Sequence, residues 1–118
     1  MKRLARTFGC PTELALELLG GNWKTVILAR LKDGPLRYGE LRRRIPRLSD
    51  KMLTQSLQGL QDRGLISRDA ATDATARYRL TPAGRSLRPL LQQLYDWGDA
   101  QADRLDVSIV DRADAASE

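Results

Sequence analysis

Apolar residues recur at helical spacing in five stretches of the chain, and between the fourth and fifth the pattern changes to one suited to strands. In PTELALELLG, Leu14, Leu18 and Leu19 form the stripe of a short helix that Thr12 or Pro11 opens and Gly20-Gly21 closes. NWKTVILARLKDG carries Trp23, Ile27, Leu28 and Leu31 at helical spacing, with Asn22 as its expected cap and Gly34-Pro35 as its stop. Nearly all of its apolar side is expected in the core. RYGELRRRIP gives a short third helix with Tyr38, Leu41 and Ile45 inward, Arg42, Arg43 and Arg44 outside, and Pro46 as terminator. In LSDKMLTQSLQGLQDRGLISR, Leu53, Leu57 and Leu60 share one buried face and Ser49 stands at the N-cap. Lys51, Thr54, Gln55 and Gln58 project from the other face.

Two helices joined by the tight turn IPRLS, the second longer and polar where it begins, outline a helix-turn-helix. After Gly64, LISRDA and ARYRLT are rich in β-compatible residues and separated by the small polar link ATDAT, which predicts a hairpin with strands near 65–70 and 76–81. The expected fold is therefore mainly α with a small β-hairpin wing, a winged helix-turn-helix. Pro82, behind the candidate N-cap Thr81, is placed to open a last long helix. Leu87, Leu90, Leu94, Trp97 and Gln101 follow at spacings of three, four, three and four, a coiled-coil-like seam. Leu91, Tyr95 and Leu105 widen that stripe beyond what one small core covers, so part of it is expected to meet a second subunit. Pro89 predicts a kink or a broken first turn, because proline removes a backbone donor and crowds the preceding turn.

At 118 residues, one hydrophobic core and one domain are expected. Its parts are a basic arm over 1–11, the winged helix-turn-helix with its C-terminal dimerisation helix over 12–105, and a polar, acidic tail over 106–118 with a composition that favours disorder. No apolar run approaches the roughly 20 residues that span a bilayer, and MKRLARTFGC lacks the pattern of a signal peptide, so the expected location is the cytoplasm, away from the membrane. The chain has one cysteine and no histidine, which removes an internal disulfide and the commonest general base and transition-metal ligand. With no glycine-rich phosphate loop or paired-carboxylate motif either, no catalytic residues, metal site, cofactor or enzymatic activity are expected.

The net charge of +5 is unevenly spread. Residues 37 to 68 hold eight Lys/Arg against three Asp/Glu, whereas residues 99 to 118 hold two against six. Positive charge thus gathers around the third and fourth helices, as it does where a protein faces a polyanion. A polar, basic helix face also serves simply to keep a surface soluble, so charge alone does not decide between double-stranded DNA and an acidic protein as the partner.

The ordered set Cys10-Pro11, GGNWKTVIL, GPLRYGELRRRIP, LSDKMLTQSLQGLQDRGLISR, YRLTPAGRSL and Trp97-Gly98 resembles the HxlR-type branch of bacterial winged-helix transcriptional regulators, relatives of the MarR group, over about residues 10 to 98. The resemblance implies a homodimeric DNA-binding repressor or activator, with Ser49 to Gln58 as recognition helix, residues between Arg68 and Arg79 as wing, and terminal helices that dimerise. Some members sense electrophiles or oxidants through a cysteine just before the first helix, the place of Cys10. The chain departs from the family pattern at Asn22, where lysine is common, and in its proline-free wing DAATDATARYR.

Sorted by chemistry, Arg37, Arg42, Arg43, Arg47 and Arg77 are candidates for phosphate, which carries affinity but little sequence information. Lys51 suits guanine, Gln55 adenine, and Thr54 the thymine methyl or a phosphate, while Ser49 suits the backbone and Gln58 lies one turn further on. A dimer presenting two such helices predicts a pseudopalindromic operator. Cys10, between a basic arm with Arg6 and a helix start, is a candidate redox or electrophile sensor, and the other reading is a small buried space-filler. A small-molecule effector is a further candidate partner. The alternative function is a winged-helix protein-interaction module that reads no DNA.

Overall fold

The computed structural model of the protein describes residues 7–71 and 74–110, so that the arm at 1–6, the wing residues 72–73 and the acidic tail at 111–118 lie outside the described residues. The elements run α1 (Pro11–Leu19), α2 (Asn22–Leu31), β1 (Leu36–Arg37), α3 (Tyr38–Arg44), α4 (Asp50–Asp62), β2 (Ile66–Arg68), β3 (Arg77–Leu80), α5 (Pro82–Arg85) and α6 (Arg88–Leu105). This is the expected winged helix-turn-helix, with one strand more than the hairpin. All pairings are antiparallel, and β3 lies between β1 and β2. Two residues, Leu36 and Arg37, pair with Tyr78 and Arg77. A strand of that length has no period to read, and it exists because its partner does.

α2 is the central rod of the core, with Ile27, Leu28 and Leu31 buried. Around it close Leu41 and Ile45 from α3 and its end, Leu48 from the turn, Leu53, Leu57 and Leu60 from α4, Ile66 and Leu80 from the sheet, and Leu91 from α6. The inward leucines and isoleucines read from spacing in α2, α3 and α4 are thus core positions. Gly20, at φ 74°, ends α1 in the left-handed conformation and donates its N–H to the Leu16 carbonyl at 3.1 Å.

Four local expectations need correction. Asn22 is the first residue of α2 and not its cap; Gly21 occupies that position, without a side-chain cap, and its carbonyl accepts from the Thr25 hydroxyl at 2.8 Å. Leu14 lies exposed beside Leu16 instead of in the core, because α1 touches the domain through its C-terminal end, where Leu19 is buried and the Arg63 guanidinium donates to the Glu17 carbonyl at 3.1 Å. Of the three consecutive arginines of α3, only Arg43 is fully exposed. Successive helical residues turn by about 100°, so three in a row cannot share one face. Finally, Thr81 and Pro82 open not the long helix but the single turn α5, with the Thr81 hydroxyl accepting from Gly84 N–H at 3.1 Å. The predicted break at Pro89 is its cause: proline has no N–H for the Arg85 carbonyl, and α6 restarts at Arg88 with Pro89 in its first turn.

Candidate nucleic-acid interface

α4 owes its placement to its two flanks. Its leucines anchor one side, and Ser49 caps the start, its Oγ accepting from Met52 N–H at 3.1 Å. The turn before it is held by buried Ile45 and Leu48 and by a hydrogen bond from Leu48 N–H to the Ile45 carbonyl at 3.1 Å. Arg42 reaches across from α3: Nη1 donates to the Leu48 carbonyl and Nε to Asp50 Oδ1, each at 2.7 Å. The Tyr38 hydroxyl donates to the same Oδ1 at 2.9 Å and lies 3.4 Å from the Thr54 hydroxyl. Tyr38 and Arg42 together hold the Asp50 carboxyl below the usual carboxylate range.

Lys51, Thr54, Gln55 and Gln58 are all exposed. The Lys51 and Gln55 side chains make no hydrogen bond or ion pair among the described residues, whereas Gln58 donates to Asp62 at 3.0 Å. Arg43 and Arg47 are exposed on the neighbouring α3 and turn. The sheet brings Arg37 and Arg77, forty residues apart in sequence, opposite each other as register partners at the base of the wing. Glu40 steadies the start of α3 by accepting from Arg37 N–H at 2.7 Å, and that hydrogen bond lowers its pKa.

The wing has no proline but has a carboxylate in its place. Asp69 accepts from Arg77 N–H at 3.1 Å and from Arg79 Nη2 at 2.8 Å, and these partners lower its pKa. Across the strand pair, the Arg68 guanidinium lies 5.8 Å from the Tyr78 ring centroid. Sequence reading did not single out Asp50, Asp69 or the hydroxyl of Tyr38. Asp50 had a signal, an acid immediately after an N-cap, where helix and charge favour each other.

Away from these residues, α1, α2 and α6 line an open apolar groove of about 930 Å³ that includes Leu16, Leu19, Val26, Leu90, Leu91 and Leu94. Leu87 leans on the core and Leu91 is buried in it, while Leu90, Leu94 and Trp97 stand exposed, Trp97 at 67 %, and Gln101 is half-buried. Cys10 is the N-cap residue of α1 and is exposed, which removes the buried space-filler reading. The backbone N–H groups of Glu13 and Thr12 at the start of α1 lower its thiol pKa; Arg6 lies outside the described residues. Among the described residues there is no acidic or histidine-cysteine group that could hold a metal, and no helix is long and apolar enough to cross a membrane.

The same arrangement recurs in known proteins. The HxlR-like helix-turn-helix family matches residues 18–106. A helix-turn-helix transcriptional regulator of Methanothermobacter thermautotrophicus is 43% identical over 91 residues, 75% of this chain and 70% of that protein. The Bacillus subtilis regulator YdzF is 42% identical over 104 residues, covering 86% and 95%. Among solved structures, the redox regulator HypR in its reduced form has a TM-score of 0.74 at 33% identity, covering 82% of this chain and 98% of its own. Quinone-bound YodB from B. subtilis has a TM-score of 0.64 at 35% identity, covering 77% and 99%. With its core, turn, α4 and wing all inside the matched span, the chain belongs to the HxlR-like family of helix-turn-helix transcriptional regulators.

Proposed function

We propose that the protein is a homodimeric regulator, a repressor or an activator, that reads a pseudopalindromic operator with the N-terminal half of α4. The observation that carries this reading is the pair Lys51 and Gln55, exposed and without a partner among the described residues, on a helix whose opposite face is locked into the core. Their donors face solvent at the end of the helix that enters a major groove in helix-turn-helix proteins. Lys51, Thr54 and Gln55 read base edges. Arg37, Arg43, Arg47 and Arg77 bind phosphate, and Gln58 extends the contact along the groove. Arg42, engaged with Asp50 and the turn, is a positioning residue, and Ser49 serves the helix start.

The dimer is argued from the groove and ridge of α6. Leu90, Leu94 and Trp97 form an apolar ridge beside a groove made by the same helix and α1, an arrangement that a second copy related by a two-fold axis covers with the same residues. Leu87, already in contact with the core, contributes less than its place in the seam predicted. Gln101 borders the ridge.

Cys10 is the proposed sensor of oxidants or electrophiles. HypR is a redox regulator and YodB has been solved with a quinone bound, which supports this assignment alongside the exposed thiol and its lowered pKa. Alkylation of Cys10 by iodoacetamide is expected to rise with pH through a midpoint below that of the denatured chain, since the α1 N–H groups favour the thiolate only while the helix is folded. Coincident midpoints, or equal operator affinity before and after alkylation, would remove the sensor role.

The deciding experiment is fluorescence anisotropy with DNA from upstream of the protein's own gene and a scrambled duplex of equal length. A preference of about a thousandfold or more at near-physiological salt is expected, with affinity falling steeply as salt rises. Equal binding that ignores salt would support the protein-interaction module instead.

A further inference from the structure

We propose that Asp50 is a base-reading residue that accepts a hydrogen bond from the exocyclic amine of a cytosine in each half-site, with Tyr38 and Arg42 setting its orientation. The inference rests on the proposed insertion of α4 into the major groove.

Asp50 is the one acidic residue in the first turn of α4, directly before the exposed Lys51. Its side chain is 74% exposed, although it pairs with Arg42 at 2.7 Å. Both side-chain partners, Tyr38 Oη and Arg42 Nε, meet the same oxygen, Oδ1. Oδ2 has no hydrogen-bond partner among the described residues, on a side chain that stays largely exposed while Oδ1 is held. A carboxylate accepts only, and the major-groove edge of cytosine offers a donor, its N4 amine.

The position on the helix agrees. With about 100° between successive residues, Asp50 and Thr54 line one edge of the exposed arc, Gln55 the other, and Gln58 and Lys51 lie between them. The Tyr38 hydroxyl touches both Asp50 and Thr54, so the two form one unit at the rim of the reading face. Guanine, which presents acceptors on that edge, would oppose an acceptor, so the arrangement selects by repulsion as well as attraction. The Arg42 charge beside Asp50 offsets the repulsion that a lone carboxylate would meet among phosphates.

The test is selection from a random duplex library by the full-length wild type, Asp50→Asn and Tyr38→Phe, followed by anisotropy on the selected site and its single-base variants at one salt concentration. Wild type is expected to prefer cytosine at one position of each half-site. Asp50→Asn should lower that preference about five- to tenfold, the lower end of what one base contact contributes, and leave other positions and the salt slope as they were. Tyr38→Phe, which keeps the carboxylate but loosens it, should weaken the same position by less. Unchanged cytosine preference in Asp50→Asn, or an even loss across all sequences, would reduce Asp50 to a brace and overturn the inference alone. If wild type selects no sequence, the DNA-reading function fails first and the inference with it.

Discussion

Leu94→Glu is expected to give a monomer whose operator affinity lies about a hundredfold or more below wild type. Leu94 is 43% exposed in the single chain and sits between Leu90 and Trp97 on the ridge of α6, bordering the apolar groove. In a two-fold dimer each substitution enters the interface twice. A carboxylate there loses its water without gaining a partner, a penalty of several kcal/mol per charge, set against an interface built chiefly from apolar side chains. Without the dimer, the second half-site no longer binds intramolecularly, and the gain of roughly 10² to 10⁴ that linkage provides disappears. Gln93→Glu is the matched control, because it adds the same charge at an exposed position that does not line the groove. Light scattering and anisotropy on both variants measure the effect. A Leu94→Glu protein that stays dimeric at micromolar concentration would show that α6 is not the interface.

Gly84→Ala should cost about 3 kcal/mol of folding stability, at the upper end for an overpacked site. Gly84 is buried in the single turn α5, and a Cβ there would overlap the backbone carbonyl oxygen of Leu65 and press on the Leu80 side chain. That carbonyl cannot move away freely, because it accepts from Thr81 N–H at 3.0 Å, and the Thr81 hydroxyl in turn donates to the Gly64 carbonyl at 2.6 Å. Separating the chains would therefore pull β3 from the start of β2. Gly39→Ala makes the contrast. On exposed α3 its Cβ would meet only Arg43 Nη1, at an ordinary 3.7 Å, so the better helix former should stabilise by about 0.5 to 1 kcal/mol. Urea unfolding of both variants decides it, and similar midpoints for the two would contradict the close approach at Gly84.

Much of the proposed DNA-facing region was legible because its residues carry their reasons locally. Ser49 caps α4 because a hydroxyl before a helical run satisfies an orphan N–H, and Lys51 and Gln55 face outward because Leu53 and Leu57 face in. Arg42 could not be told from its neighbours, for the complementary reason. Three adjacent arginines look alike in sequence, and only the approach of Asp50 and the Leu48 carbonyl assigns one of them to the turn. Asp69 likewise gains its role in the wing only when β3 brings Arg77 and Arg79 beside it.

By itself, the sequence determined the helices other than the single turn α5, the hairpin, the core faces of α2, α3 and α4 and the basic character of the region around α4, because periodicity, caps and charge are properties of neighbours along the chain. Tertiary structure decided what depends on partners far apart: the third strand at Leu36–Arg37, the pairing of Arg37 with Arg77, the Tyr38–Asp50–Arg42 contact, and the division of the α6 stripe between Leu91 in the core and Trp97 in solvent. A stripe too wide for one core can be read from spacing, but which of its residues the core takes is settled only by where the other helices pack.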